Sequence, residues 1–148
     1  MRSFKLFGVK LKTKTSNVNG QSSKDCGELW QYFEKNKIAE SIPDKTSDAV
    51  YAVYHEYASG ENGLFSYFIG CRVKDDAVKP ENLDELNIPE QAYHIETARG
   101  KMTGCITEAW EKIRQSSLNR TFGYDFEVYD ERSSDWNDAE IDIYISVQ

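Results

Sequence analysis

No stretch of this sequence approaches the run of about 20 apolar residues needed to span a bilayer. Its first residues, Met1-Arg2-Ser3-Phe4-Lys5, carry no apolar signal core. Those two absences lead to the expectation of a cytoplasmic protein with no membrane partner. Cysteine is scarce as well. Cys26, Cys71 and Cys105 are odd in number, far apart and form no C-x-x-C pair, which argues against a disulfide framework or a zinc ribbon. Each is expected to serve as a small buried apolar side chain. Histidine occurs twice, at His55 and His94, and neither stands beside a Ser or Cys motif, so a nucleophilic triad is unsupported. His55 is expected to be a surface or satisfied strand residue. No paired ligand spacing suggests a metal, and no cofactor is implied. Positive charge is nowhere clustered, and the net charge is −7. Such a chain repels phosphate backbones, so direct nucleic-acid binding is not expected, whereas its negative field favours the approach of cationic small molecules.

What the chain has in excess is aromatic surface. Aromatic residues make up 13%, including nine Tyr and three Trp, while 39% hydrophobic and 29% charged residues suit one soluble domain of 148 residues. Tyr and Trp combine a flat apolar face with a polar tip, which suits recognition as well as packing. The stretch that organises the rest is Tyr124-Asp125-Phe126-Glu127-Val128-Tyr129-Asp130-Glu131. In an extended strand Phe126 and Val128 point one way, and Asp125, Glu127 and Tyr129 the other. A carboxylate at mid-strand, Glu127, is costly to bury unless something positive meets it. Either a ligand supplies that charge, or Glu127 is a solvated residue paired with Arg132 or Lys112. Asp125 and Asp130 are expected to be exposed.

In chain order, Phe4 to Thr15 reads as a strand with Gly8 as a bulge that shifts its alternation. A helix runs from an Asp25 cap, with Glu28 as capping-box partner, to about Lys37, and puts Leu29, Trp30, Phe33 and Ile38 on one stripe. Ala49 to Tyr57 and Leu64 to Val73 form a hairpin around Ser59-Gly60-Glu61-Asn62-Gly63. Asp75 to Glu90 is a polar connector. The order then recurs: a strand over Gln91 to Ala98, a turn at Arg99-Gly100, a helix over Met102 to Ser116 with Ile106, Ala109, Trp110 and Ile113 on one face, then strands over Tyr124 to Glu131 and Ala139 to Val147. Laid over each other, Trp30 falls on Trp110, Ala52-Val53-Tyr54 on Glu127-Val128-Tyr129, and Ile69 to Val73 on Ile143 to Val147. The expected fold is α+β, a duplicated β-α-β-β module in one domain over 1–148, with halves at about 1–78 and 90–148. Joined edge to edge, the halves would give an eight-stranded, mostly antiparallel sheet whose two main helices flank a groove near a pseudo-twofold axis. Trp30 and Trp110 would be its walls.

An ordered set of residues then resembles a known family. It comprises Phe7-Gly8-Val9, Leu29-Trp30 with Phe33, Ala49 to Tyr54, Tyr67-Phe68-Ile69-Gly70 with Val73, Ile88-Pro89, Tyr93, Gly100, Trp110 with Ile113, Asp125 to Asp130, and Ile143 to Val147. The set resembles the GyrI-like, or AraC-type effector-binding, domain, and is similar to stand-alone members encoded in integron cassettes. The resemblance implies binding of lipophilic cationic small molecules, for sensing or sequestration, as in transcription regulators. It places the binding acid at Glu127 and aromatic contacts at Trp110, Tyr93, Tyr54, Trp30, Phe33, Tyr67 and Tyr129. Pro89 to Tyr93 departs from the glycine that relatives often carry before the tyrosine, which bears on how Tyr93 is aimed. Two other classes stay open. Some members are hydrolases of cyclopropane-bearing natural products, in which Glu127 would be a general base. Another inhibits gyrase, which would imply a protein partner. No residues remain for a helix-turn-helix, and a monomer or weak dimer is expected.

Overall fold

A computed structural model describes residues 2–58 and 63–148. Among the described residues seven strands form one sheet in the order β4-β1-β3-β2-β6-β7-β5, with every neighbouring pair antiparallel. In chain order the elements are β1 (Phe4–Lys10), α1 (Gln21–Lys35), α2 (Ile38–Ser41), β2 (Val50–His55), β3 (Ser66–Val73), β4 (Asp84–Ile88), β5 (Ala92–Gly100), α3 (Gly104–Gln115), β6 (Asp125–Tyr129) and β7 (Ala139–Val147). The fold is α+β, as expected, but the described sheet has seven strands rather than eight. The expected turn at residues 59–62 lies outside the described residues.

The strand that sequence reasoning missed is β4, inside the supposed connector. Asp84-Glu85-Leu86-Asn87-Ile88 pairs with β1 at the sheet edge and turns Ile88 fully inward. Charged residues on an edge strand block pairing with other chains, and here they also disguise the strand as a loop. Three further boundaries differ. β1 ends at Lys10, and Thr15 makes only an isolated bridge to Phe65. Gly8 is no bulge, because the β1–β3 register runs unbroken from Lys5↔Val73 to Lys10↔Phe68. Arg99 and Gly100 extend β5 instead of turning.

α1 starts earlier than expected. Gly20, left-handed at φ 71°, enters the helix at Gln21, and Asp25 lies inside it, accepting from Thr15 Oγ1 at 2.7 Å and Gln21 Nε2 at 2.9 Å. Leu29 and Phe33, four residues apart, bury one face of α1 against Phe7, Ala52, Tyr67 and Ile69. Cys105, Ala109 and Ile113 do the same for α3 against Ile141, Ile143 and Ile145. Tyr129 packs against both clusters, so α1 and α3 lie on the same face of the sheet, over different halves. The two halves meet where β2 pairs with β6, from Val50↔Tyr129 to Tyr54↔Asp125.

On the other face aromatic rings cover one another. Phe126 is fully buried among Phe4, Tyr51, Tyr93 and Tyr144, with ring centroids 4.8–5.6 Å from its own. His55, expected to be a surface or satisfied strand residue, is buried on β2 and stacks on Tyr124 at 5.3 Å. No helix among the described residues is long and apolar enough to cross a membrane.

Candidate functional site

Glu127 occupies the middle of β6 and is only 1% exposed. Strand alternation turns it to the helix side, where its Cα partner across the seam is Ala52. The small alanine leaves room for the carboxylate. Three side chains donate to it: Tyr54 Oη to Oε2 at 2.8 Å, Trp110 Nε1 to Oε2 at 2.7 Å, and Tyr129 Oη to Oε1 at 2.5 Å. Two strands and a helix thus converge on one acid.

Neighbouring rings pack against those donors. Tyr54 packs against Trp110 and Tyr67 with centroids 5.1 and 5.0 Å away, and Trp30 meets Tyr129 edge-on at 5.1 Å. Trp30 Nε1 donates to Tyr67 Oη at 2.8 Å, while Phe33 lies beneath Trp30 in the α1 core. So Glu127, Trp110, Tyr54, Tyr129, Tyr67, Trp30 and Phe33 gather on one face. Tyr93 does not join them. It sits on the opposite face against Phe126 and Tyr144, its hydroxyl accepting from Gln91 Nε2.

The electrostatics of Glu127 follow from its neighbours. Burial pushes its carboxyl above the usual range, and the hydrogen bonds from Tyr129, Trp110 and Tyr54 pull only part of the way back. Tyr54, Tyr67 and Tyr129 are driven well above ordinary phenols, first by burial and then by the Glu127 charge, so they remain neutral donors. Cys26, on α1 nearby, is pushed up to about 12 by burial and by Glu127. Neither Arg132 nor Lys112 neutralises the acid. Arg132 instead binds Asp130, Glu140 and Asp142 on the far side of β7, at 2.9–3.3 Å. Among the described residues no cation is bonded to Glu127.

Beside this acid, between the start of α1 and the face of α3, lies a hollow of about 300 Å³. Tyr54 and Trp110 form part of its wall and stand between it and Glu127. Cys26, Tyr57, Phe65 and Ile106 extend the apolar lining, and Ser22, Ser23, Thr107, Arg114 and Arg120 give it polar margins. These residues escaped the sequence reading. The α3 members were legible in principle, because Thr107, Trp110 and Arg114 share one helical stripe; Tyr57 and Phe65 meet α3 at the hollow only through the fold.

Arg120, in the lining of the hollow, belongs to a buried ion pair. Asp125, expected to be exposed, has no exposed surface. It accepts from Ser146 N (2.7 Å), Ser146 Oγ (2.8 Å), Tyr57 Oη (2.7 Å) and Arg120 Nη2 (3.0 Å). Arg120 in turn lies over the Phe122 ring at 4.3 Å.

The family model for integron-associated effector-binding proteins matches residues 1–147. The chain belongs to that family, Cass2. This Cass2-family chain has solved structural relatives. An integron cassette protein from the mobile metagenome of Vibrio cholerae superposes with a TM-score of 0.74 at 23% identity, over 100% of this chain and 92% of that one. The structure of SAV2435 bound to tetraphenylphosphonium superposes with a TM-score of 0.80 at 15% identity, over 100% and 90%. In sequence, the candidate transcriptional regulator YobU of Bacillus subtilis (strain 168) is 26% identical over 124 residues, 81% of this chain and 78% of its own length. Effector binding by the Cass2 family and regulator-like relatives support a small-molecule-binding role for this chain.

Proposed function

We propose that this chain binds lipophilic cationic small molecules in the hollow between α1 and α3, for sensing or sequestration, with Glu127 as the source of attraction. The observation that carries this reading is a fully buried carboxylate held by three neutral donors, with no bonded counter-ion among the described residues. Burying an ion without a partner is costly, and a cationic guest offsets that cost. The acid acts through its screen. Tyr54 and Trp110 each point a donor hydrogen at Oε2, which makes their rings more electron-rich on the side that lines the hollow. A cation over such a face gains about 0.5–2 kcal/mol per ring. SAV2435, bound to tetraphenylphosphonium, is a structural neighbour that supports this class of guest. The general-base reading gains less support, because Glu127 stands behind Tyr54 and Trp110 rather than in the wall of the hollow.

The duplication expected from the sequence belongs to this reading. Leaving β4 aside, the order β1-β3-β2-β6-β7-β5 is the same from either end once the halves are exchanged. Tyr54 and Tyr129, the residues aligned by the repeat, both donate to Glu127.

The test is tetraphenylphosphonium binding, read by tryptophan fluorescence and calorimetry, in the native chain and in Glu127→Gln. A Gln amide oxygen can replace Oε2, and its NH2 can donate to a rotated Tyr129 hydroxyl, so stability should change by about 1 kcal/mol or less. Affinity should fall about 30-fold, because the charge is gone. Equal affinity in both proteins would overturn the reading.

A pH dependence follows as well. Burial holds the folded-state carboxyl of Glu127 above the ordinary glutamate value of 4.5. Folding therefore binds a proton in the window above 4.5, and this group's contribution to stability is greatest below that window and is lost as pH rises through the folded value. Tetraphenylphosphonium draws out the ionised form, so its affinity should rise with pH through the same window, with proton release on binding. Glu127→Gln should remove both slopes. Calorimetry in buffers of different ionisation enthalpy measures the released proton directly.

A further inference from the structure

The α3 wall of the hollow carries a charge that cation binding leaves unused. Thr107, Trp110 and Arg114 are three and four residues apart, so they stack along one face of α3, and all three line the hollow. Trp110 is committed to Glu127. Arg114 is exposed and has no ion-pair or hydrogen-bond partner among the described residues. Arg120, the other guanidinium at this margin, is held by Asp125 at 3.0 Å. On the α1 side the hollow is lined by Ser23 and by Ser22, whose hydroxyl donates to Asn17 Oδ1 at 2.7 Å.

A plain lipophilic cation seated on Tyr54 and Trp110 has the Arg114 charge one helical turn away, roughly 6 Å along the axis. That charge repels it. A guest carrying a carboxylate at that distance from its cationic centre reverses the sign of the contact. Building on the binding reading above, we infer that the hollow selects zwitterionic aromatic compounds, with the cationic group over the Tyr54 and Trp110 rings in front of Glu127 and the carboxylate at Arg114 beside Ser22 and Ser23. Arg114 is then a specificity-determining residue, and Glu127 the source of affinity for the cationic end.

Two xanthene dyes that differ only in esterification test this. Rhodamine 110 is a zwitterion at neutral pH, and rhodamine 123 is its cationic methyl ester. The native chain should bind rhodamine 110 about fivefold tighter, the scale of one partly exposed charge pair. Arg114→Gln, on an exposed helix position, should abolish that preference, weakening rhodamine 110 and tightening rhodamine 123 because the repulsion of a plain cation is removed. High salt should shrink the preference in the native chain. Equal or tighter binding of rhodamine 123, or a preference that survives Arg114→Gln, would overturn the inference. If rhodamine 123 also loses affinity in Glu127→Gln under that outcome, the cation-binding reading stands alone. Failure of both dyes and of tetraphenylphosphonium to bind would remove both.

Discussion

Replacing Asp125 with alanine should lower the folding free energy by about 3–5 kcal/mol, the usual consequence of removing one member of a buried ion pair. Asp125 has no exposed surface, and the Arg120 side chain is only 7% exposed. The substitution takes the carboxylate from Arg120, from the Tyr57 hydroxyl and from both donors of Ser146 at once. Since a domain of this kind is stable by about 5–15 kcal/mol in total, the variant should sit close to unfolding at physiological temperature. Urea denaturation measures the effect. The double variant Asp125→Ala, Arg120→Met should recover much of the loss, because it no longer buries a charge without that carboxylate. A single-variant loss below about 1 kcal/mol would mean that this pair does not anchor the end of β6. Tyr57 and Arg120 both line the hollow, so a marginally folded Asp125→Ala protein should also bind tetraphenylphosphonium more weakly.

Gly8→Ala is the second large expected effect, about 3 kcal/mol or more. Gly8 and Gly70 are direct partners in the β1–β3 register. A Cβ on Gly8 would press into the carbonyl oxygen of Ile69, 2.8 Å from its carbonyl carbon, and one on Gly70 would meet the Phe7 carbonyl in the same way. Both obstacles are backbone, so no side chain can swing aside. Relief requires β1 to move away from β3, which loosens Phe7 and Val9 from the α1 core. Thermal unfolding followed by circular dichroism measures this, and a shift of less than a few degrees would show that the strands separate at little cost.

Local pattern made much of this structure legible, and the exceptions share a physical cause. The alternation of Asp125 to Tyr129 gave the correct facing of Phe126, Glu127 and Tyr129, because a strand repeats every two residues whatever surrounds it. The stripes on α1 and α3 were visible for the same reason. What local pattern lacks is the identity of partners far apart in the chain. Asp125 looked like a surface acid because Arg120, Tyr57 and Ser146 converge on it only through the fold. Tyr93 looked like a pocket residue, but its strand register sets it beside Phe126 on the opposite face. β4 was read as a connector because an edge strand carries charges that mimic a loop. The start of α1 was placed at Asp25 because a capping motif exists there, yet Gly20 opens the helix and Asp25 turns to Thr15 instead.

The pairing of Ala52 with Glu127 across the β2–β6 seam has a consequence for stoichiometry. Were an acid present on both strands at that point, two like charges would face each other at the spacing of neighbouring strands, about 4.8 Å, and one would keep its proton. With a methyl group opposite, Glu127 is the one acid along this seam without a bonded cation among the described residues, since Asp125 is matched by Arg120. In the proposed site, that acid would neutralise one guest per chain, held between the start of α1 and the face of α3.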